Sequence, residues 1–100
     1  MIIFNTTYHV DDSCEKEWLS WSKETFIPLL LETGMITKHV YCRVMVEEQM
    51  GGKTFSLQLF LKNMEQFTKY EKEFSSKIQA VLQAKFANKV LAFSTLLEEV

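Results

Sequence analysis

The chain opens on strict alternation. In IIFNTTYHV, Ile2, Phe4, Thr6, Tyr8 and Val10 share one face, and Ile3, Asn5, Thr7 and His9 share the other. β-Branched and aromatic residues at period two predict a strand over 2–10. A second alternating run, FSLQLFLK at 55–62, has one fully apolar face, Phe55, Leu57, Leu59 and Leu61. Its other face, Ser56, Gln58, Phe60 and Lys62, is mixed. A third run, 38–48, carries Val40, Cys42, Val44 and Val46 on an apolar face, with His39, Tyr41, Arg43, Met45 and Glu47 opposite. EQMGGK between these last two predicts a turn, with Gly51 and Gly52 free to take positive φ, so the strands form a hairpin. Residues 90–97 form a final strand. Both of its faces are half apolar, so the pattern leaves open which one joins the core.

Two stretches switch to helical period. After DDSCE, Asp12 with Glu15 three residues on predicts a capping-box start. Trp18, Trp21, Thr25 or Phe26, and Leu29 or Leu30 follow on one stripe. Pro28 either kinks this helix or begins a second short one, and Gly34 sits at the expected C-terminal cap. Asn63 with Gln66 starts the other helix. Its stripe runs Phe67, Tyr70, Phe74, Ile78, Val81 or Leu82, and Phe86. Glu65 with Lys69 and Glu73 with Lys77 mark its solvated side.

The order β-α-β-β-α-β is the split-βαβ, ferredoxin-like pattern of an α+β fold. Right-handed crossovers give an antiparallel sheet in the order 4-1-3-2 with both helices on one face. A single domain over 1–100 is expected. Two helices cover one face of four strands. The other face is left bare, and the alternation assigns it Asn5, Thr7, His9, Tyr41, Arg43, Met45, Ser56, Gln58 and Phe60.

Composition narrows what that face can meet. One hundred residues, 47% hydrophobic and 13% aromatic, form a globular core without staples. A net charge of -2 gives no pull toward nucleic acid or anionic lipid. An RNA-recognition motif on the third strand is only partly matched. Lys53, Phe55 and Phe60 fit it, but Thr54, Ser56 and Leu57 replace its glycine, its small residue and its second stacking aromatic. The N-terminus lacks the basic region of a signal peptide, and no apolar run is long enough to span a bilayer. A cytoplasmic protein with no membrane contact is expected. Cys14 and Cys42 then read as reduced thiols. His9, Asp11, Asp12 and His39 are too scattered for a metal site, and neither a nucleophile elbow nor a phosphate loop occurs. No metal and no cofactor is expected.

Four stretches carry a resemblance: IIFNTTYHV, the WLSW that runs into FIPLLLETG, the hairpin after VEE, and the ending KVLAFSTLLEEV. Over nearly its whole length the chain resembles a family of short bacterial proteins with a domain of unknown function. That family is similar to the dimeric α/β-barrel superfamily of ferredoxin-like proteins. The resemblance implies two sheets packed face to face with helices outside, so the bare face meets its own copy. It also implies a ligand cleft between sheet and helices, since the superfamily includes cofactor-independent and haem-degrading monooxygenases. The haem degraders' set of a first-strand Asn, a Trp and a second-helix His does not carry over. Helix 64–86 has no His, and both tryptophans are on the first helix.

The expected function is a homodimeric binding or regulatory module with no demonstrable chemistry, a small-molecule ligand being possible but unidentified. A small monooxygenase-like enzyme is the alternative, and single-stranded RNA binding ranks third. Asn5, His9, Tyr41, Arg43, Gln58 and Phe60 are the candidate pocket or dimer-interface residues.

Overall fold

A computed structural model describes residues 1–45 and 51–100. Strands β1 (Ile2–Val10), β2 (Ile36–Arg43), β3 (Lys53–Leu61) and β4 (Val90–Glu98) form one antiparallel sheet in the order β2-β3-β1-β4. This is the predicted 4-1-3-2 order read from the other edge, and the fold is α+β, ferredoxin-like. β1 lies centrally, pairing with β3 and β4 along its full length. The predicted continuation of β2 through Val46, Glu47 and Glu48, and the first part of the turn, lie outside the described residues.

Two helical rods cover one face. The first comprises α1 (Glu15–Trp21), a π turn at Ser22–Phe26 and α2 (Ile27–Leu31). The second comprises α3 (Met64–Tyr70), a π turn at Glu71–Ser75 and α4 (Ser76–Phe86). Pro28 lies in the first turn of α2, close to the second of the two expected alternatives, and the rod runs on through it. It has no N–H to donate, and in a regular helix its ring would crowd the carbonyl of Glu24. The wider π turn just before it absorbs that misfit: the Ile27 N–H reaches back five residues to the Ser22 carbonyl. In the second rod the π turn disturbs the i,i+4 spacing on which the expected Glu73–Lys77 pairing relied.

The start of the first rod also differs from expectation. Asp11, not Asp12, caps a 3₁₀ turn over Asp12–Cys14 and accepts from the Ser13 N–H. The Asp12 carboxylate instead reaches across the end of the sheet and accepts from the Gly52 N–H at 3.0 Å. Asn63 caps α3 as predicted, accepting from the Gln66 N–H at 2.9 Å.

The core lies between rods and sheet. Phe55, Leu57, Leu59 and Leu61 of β3 are buried, as are Tyr8 and Val10 of β1. Trp18 is fully buried at the centre. Its ring lies 4.9 Å from Tyr8, 5.4 Å from Phe86 and 6.1 Å from Phe26, so it joins both rods to the sheet. Burial of each large apolar side chain here contributes about 1.5–3 kcal/mol. Among the described residues no helix is long and apolar enough to cross a membrane.

Two backbone positions yield opposite expectations. Gly52 holds φ +85, and a Cβ there would lie 2.7 Å from His9 Nε2 and 2.8 Å from the Val10 carbonyl. Gly52→Ala is expected to cost about 1–3 kcal/mol through strain and clash. Ala87 at the end of α4 holds φ 50 and ψ -128, a region that favours glycine. Ala87→Gly is expected to stabilise by about 0.5–1 kcal/mol. Urea unfolding of both variants checks the two signs.

Candidate functional site

The bare face of the sheet is real, but two of its predicted members are absent from it. Asn5 and Gln58 stand opposite each other there. Asn5 Oδ1 accepts from Ser56 Oγ at 3.0 Å. His9 lies beside Thr54, with Nδ1 3.3 Å from its hydroxyl. Phe60 lies beneath Lys38, whose Nζ is 5.2 Å from the ring centroid.

Tyr41 and Arg43 point the other way, toward the helices. Their register partners are Leu57 and Phe55, which are core residues. The faces of β2 are thus the reverse of the sequence reading, and Lys38, Val40 and Cys42 occupy the bare side. Amphipathic side chains explain the reversal. The Tyr41 ring packs 6.0 Å from Phe55 while its hydroxyl meets the fully buried Ser22 Oγ at 2.9 Å. The Arg43 guanidinium lies 5.3 Å from the Phe55 ring and pairs with Glu15 at 3.3 Å. The buried Trp18 Nε1–H meets no partner at hydrogen-bond geometry among the described residues.

The last strand is settled by pairing. Leu91, Phe93, Thr95 and Leu97 oppose His9, Thr7, Asn5 and Ile3, and so join the bare face. Leu91 is 50% exposed, Phe93 66% and Leu97 39%.

A second feature lies on the helix side. Between β1, β4 and the two rods is a cleft of about 70 Å³. Its walls are apolar: Phe4, Phe26, Leu30, Leu59, Ile78 and Leu82. Its polar atoms are chiefly hydroxyls. Thr6 Oγ1 and Ser94 Oγ lie 3.0 Å apart across the β1–β4 pair, and Tyr8, Tyr70 and Ser75 also line it. Both π turns border it, through Phe26 on one rod and Ser75 on the other.

Burial pushes the Tyr8 phenol well above its ordinary range, and the neighbouring Tyr70 adds to this. Burial also pushes Tyr70 up to about 12. Both are protonated near neutral pH and able to donate. Among the described lining residues there is no Asp, Glu, His, Lys, Arg or Cys. The described residues hold no cluster of three or more His, Cys, Asp or Glu suited to a metal ion.

Sequence reasoning named none of the cleft's hydroxyl residues as site candidates, because Tyr8 and Tyr70 read simply as core stripe. One signal was available: Thr6 is a polar residue at an inward position of a central strand.

Comparison with known proteins follows the fold. A family model described as a domain of unknown function, DUF4286, matches residues 1–100. No curated protein matches the chain. An ethyl tert-butyl ether d (EthD) family protein from Bacillus halodurans is similar in structure, with TM-score 0.73, 17% identity and full coverage of both chains. A dimeric ferredoxin-like protein from an uncultured marine organism has TM-score 0.71 and 13% identity, covering 100% of this chain and 95% of its own. An antibiotic biosynthesis monooxygenase has TM-score 0.66 and 9% identity, covering 100% and 99%. At these identities the likeness is one of fold.

All three tyrosines of the chain are held above their ordinary range by burial. A raised folded value means that the hydroxyls' stabilisation is complete below the unfolded value, about pH 10. It is lost as pH climbs toward the folded values. The tyrosinate absorption band is expected to be absent at about pH 10 and to rise only above it, together with loss of circular dichroism. A normal titration near pH ~10 with the fold intact would contradict the burial described here.

Proposed function

The chain belongs to the DUF4286 family, a domain of unknown function, and we propose that it is a homodimer that binds a small uncharged aromatic or apolar molecule in the cleft. The observation that carries this reading is the cleft's chemistry: apolar walls, a Thr6–Ser94 hydroxyl pair, and two phenols held neutral. Such a lining stabilises a flat apolar body and supplies donors and acceptors to one polar end. A charged ligand would find no counter-charge on the walls. A proton-abstraction step would find no group poised near neutral pH. The monooxygenase-like alternative rests on the likeness in fold, and the absence of a base among the described lining residues ranks it second.

The homodimer is supported by the bare sheet face. Leu91, Phe93, Leu97, Ile3, Val40 and Phe60 give it an apolar character, and Lys38 and His9 are the only basic side chains its strands place there. Four strands of about nine residues present on the order of 600 Å² in projection, before side-chain relief is counted. That is comparable to one side of a standard interface, about 800 Å². An exposed face of this size with an apolar side chain on every strand fits a partner, and its low positive charge disfavours RNA. The dimeric ferredoxin-like protein of the same fold lends support. Asn5, His9, Gln58 and Phe60 are interface residues in this reading, and Tyr41 and Arg43 are not. The free thiols of Cys14 and Cys42 fit a reducing, cytoplasmic setting.

Light scattering on a sizing column is expected to give twice the chain mass of 11.7 kDa; a monomer at every concentration would overturn the homodimer. Titration with p-cresol is expected to change the tryptophan emission saturably, because Trp18 packs on the cleft residue Tyr8. Thr6→Val is expected to weaken p-cresol by about fivefold, the worth of one hydrogen bond, and to leave toluene unchanged. Equal losses for both ligands would place the polar end elsewhere.

A further inference from the structure

We propose that the cleft is incomplete in a single chain and is closed along β4 by the second copy, so that ligand binding and dimerisation are linked. This deepens the homodimeric binding reading above and rests on it.

The argument begins with β4. Of its nine residues, only Val90 is buried. Exposure on the bare face is expected of a strand covered on one side. Here the helix-facing side is exposed as well: Ala92, Ser94 and Leu96 are all open to solvent, Leu96 at 41%. Ala92 and Ser94 are also walls of the cleft. The opposite walls, Tyr8, Phe26, Leu30, Leu59 and Tyr70, are buried. The cleft is therefore sealed toward β1 and β3 and open between β4 and the second rod, whose lining residue Gln79 is exposed as well.

The outer edge of β4 points to what closes it. Sheet edges that stay in water are blunted by charge, proline or bulges. The other edge, β2, follows this rule. It has an irregular register between Ile36 and Lys38, and it carries Lys38, His39 and Arg43. β4 pairs with β1 in unbroken register, and VLAFSTLLE contains no proline, no basic residue and one acid, at its end. A strand apolar on both faces, unblunted and unburied, is built to be covered.

A second copy is the occupant that fits. The near absence of charge disfavours nucleic acid and lipid headgroups. Leu91, Phe93 and Leu97 make β4 continuous with the face to which the homodimer reading assigns the second copy. From there the free edge lies within about one strand spacing, 4.8 Å. A chain that covers the bare side of β4 and wraps this edge reaches Ser94 and Leu96 on the other side. It thereby supplies the missing wall.

Phe93→Glu tests this without touching the cleft, since Phe93 is 66% exposed on the bare face opposite Thr7. The variant is expected to be a folded monomer by circular dichroism and light scattering, and to bind p-cresol at least tenfold more weakly. Wild-type protein diluted through its dimer dissociation is expected to lose p-cresol affinity over the same concentration range, and this arm needs no variant. Unchanged affinity in the monomeric variant, or a flat wild-type affinity through dissociation, overturns this inference alone. Binding by neither form removes the binding reading and the inference together. A wild-type monomer at every concentration removes both the homodimer and the linkage.

Discussion

The fold depends on one aromatic contact, the Trp18 ring against Tyr8 of the central strand. Trp18 also meets Phe26 within its own rod and Phe86 at the far end of the second rod. Three segments distant in sequence are thus pinned at one point. Close packing around so large a ring leaves little freedom in the angle at which the rods cross the sheet. The space that remains between rods and sheet lies beyond this cluster, where Tyr8 and Phe26 turn from packing partners into cleft walls. The cleft is a consequence of where the indole is buried. The π turns fit this picture, because each widens its rod where it borders the cleft, and the first also accommodates Pro28.

Much of this was legible from alternation. On β1 and β3 the apolar phase is decisive, since inward Phe55, Leu57, Leu59 and Leu61 leave no competing assignment, and order and layering follow from it. β2 misled because it is an edge strand, where neither face is deeply buried and hydropathy carries little information. Val40 and Cys42 seemed to belong inside. The deciding factor was reach: Tyr41 and Arg43 span an apolar surface and still satisfy their polar ends on Ser22 and Glu15. The cleft was illegible for a different reason. Its polar atoms come from residues that also pack, and only three-dimensional proximity separates the Thr6–Ser94 pair from ordinary core. π turns have no signature at period 3.6, so the pattern around Pro28 does not show the turn that absorbs it.

The undecided parity of β4 deserves a different interpretation from the error on β2. A strand half apolar on both faces cannot be placed by alternation when its own chain is the only available cover. Read as a strand to be covered on both faces, VLAFSTLLE is consistent. In the proposed homodimer its ambiguity would reflect a cover that a single chain does not contain.

Linkage makes this consequential. If closing β4 raises ligand affinity tenfold, the ligand must favour the dimer by the same factor at each occupied site. Two filled sites would then favour it by about a hundredfold, roughly 2.8 kcal/mol at ~1.4 kcal/mol per decade. A protein that dissociates in its working concentration range would be assembled by its ligand, and one that does not would gain only affinity. The two cases use the same contacts. What would separate them is the strength of the proposed bare-face interface, to which Leu91, Phe93 and Leu97 would contribute together with Ile3, Val40 and Phe60. Regulation, in this design, would be tuned on the face that never touches the ligand.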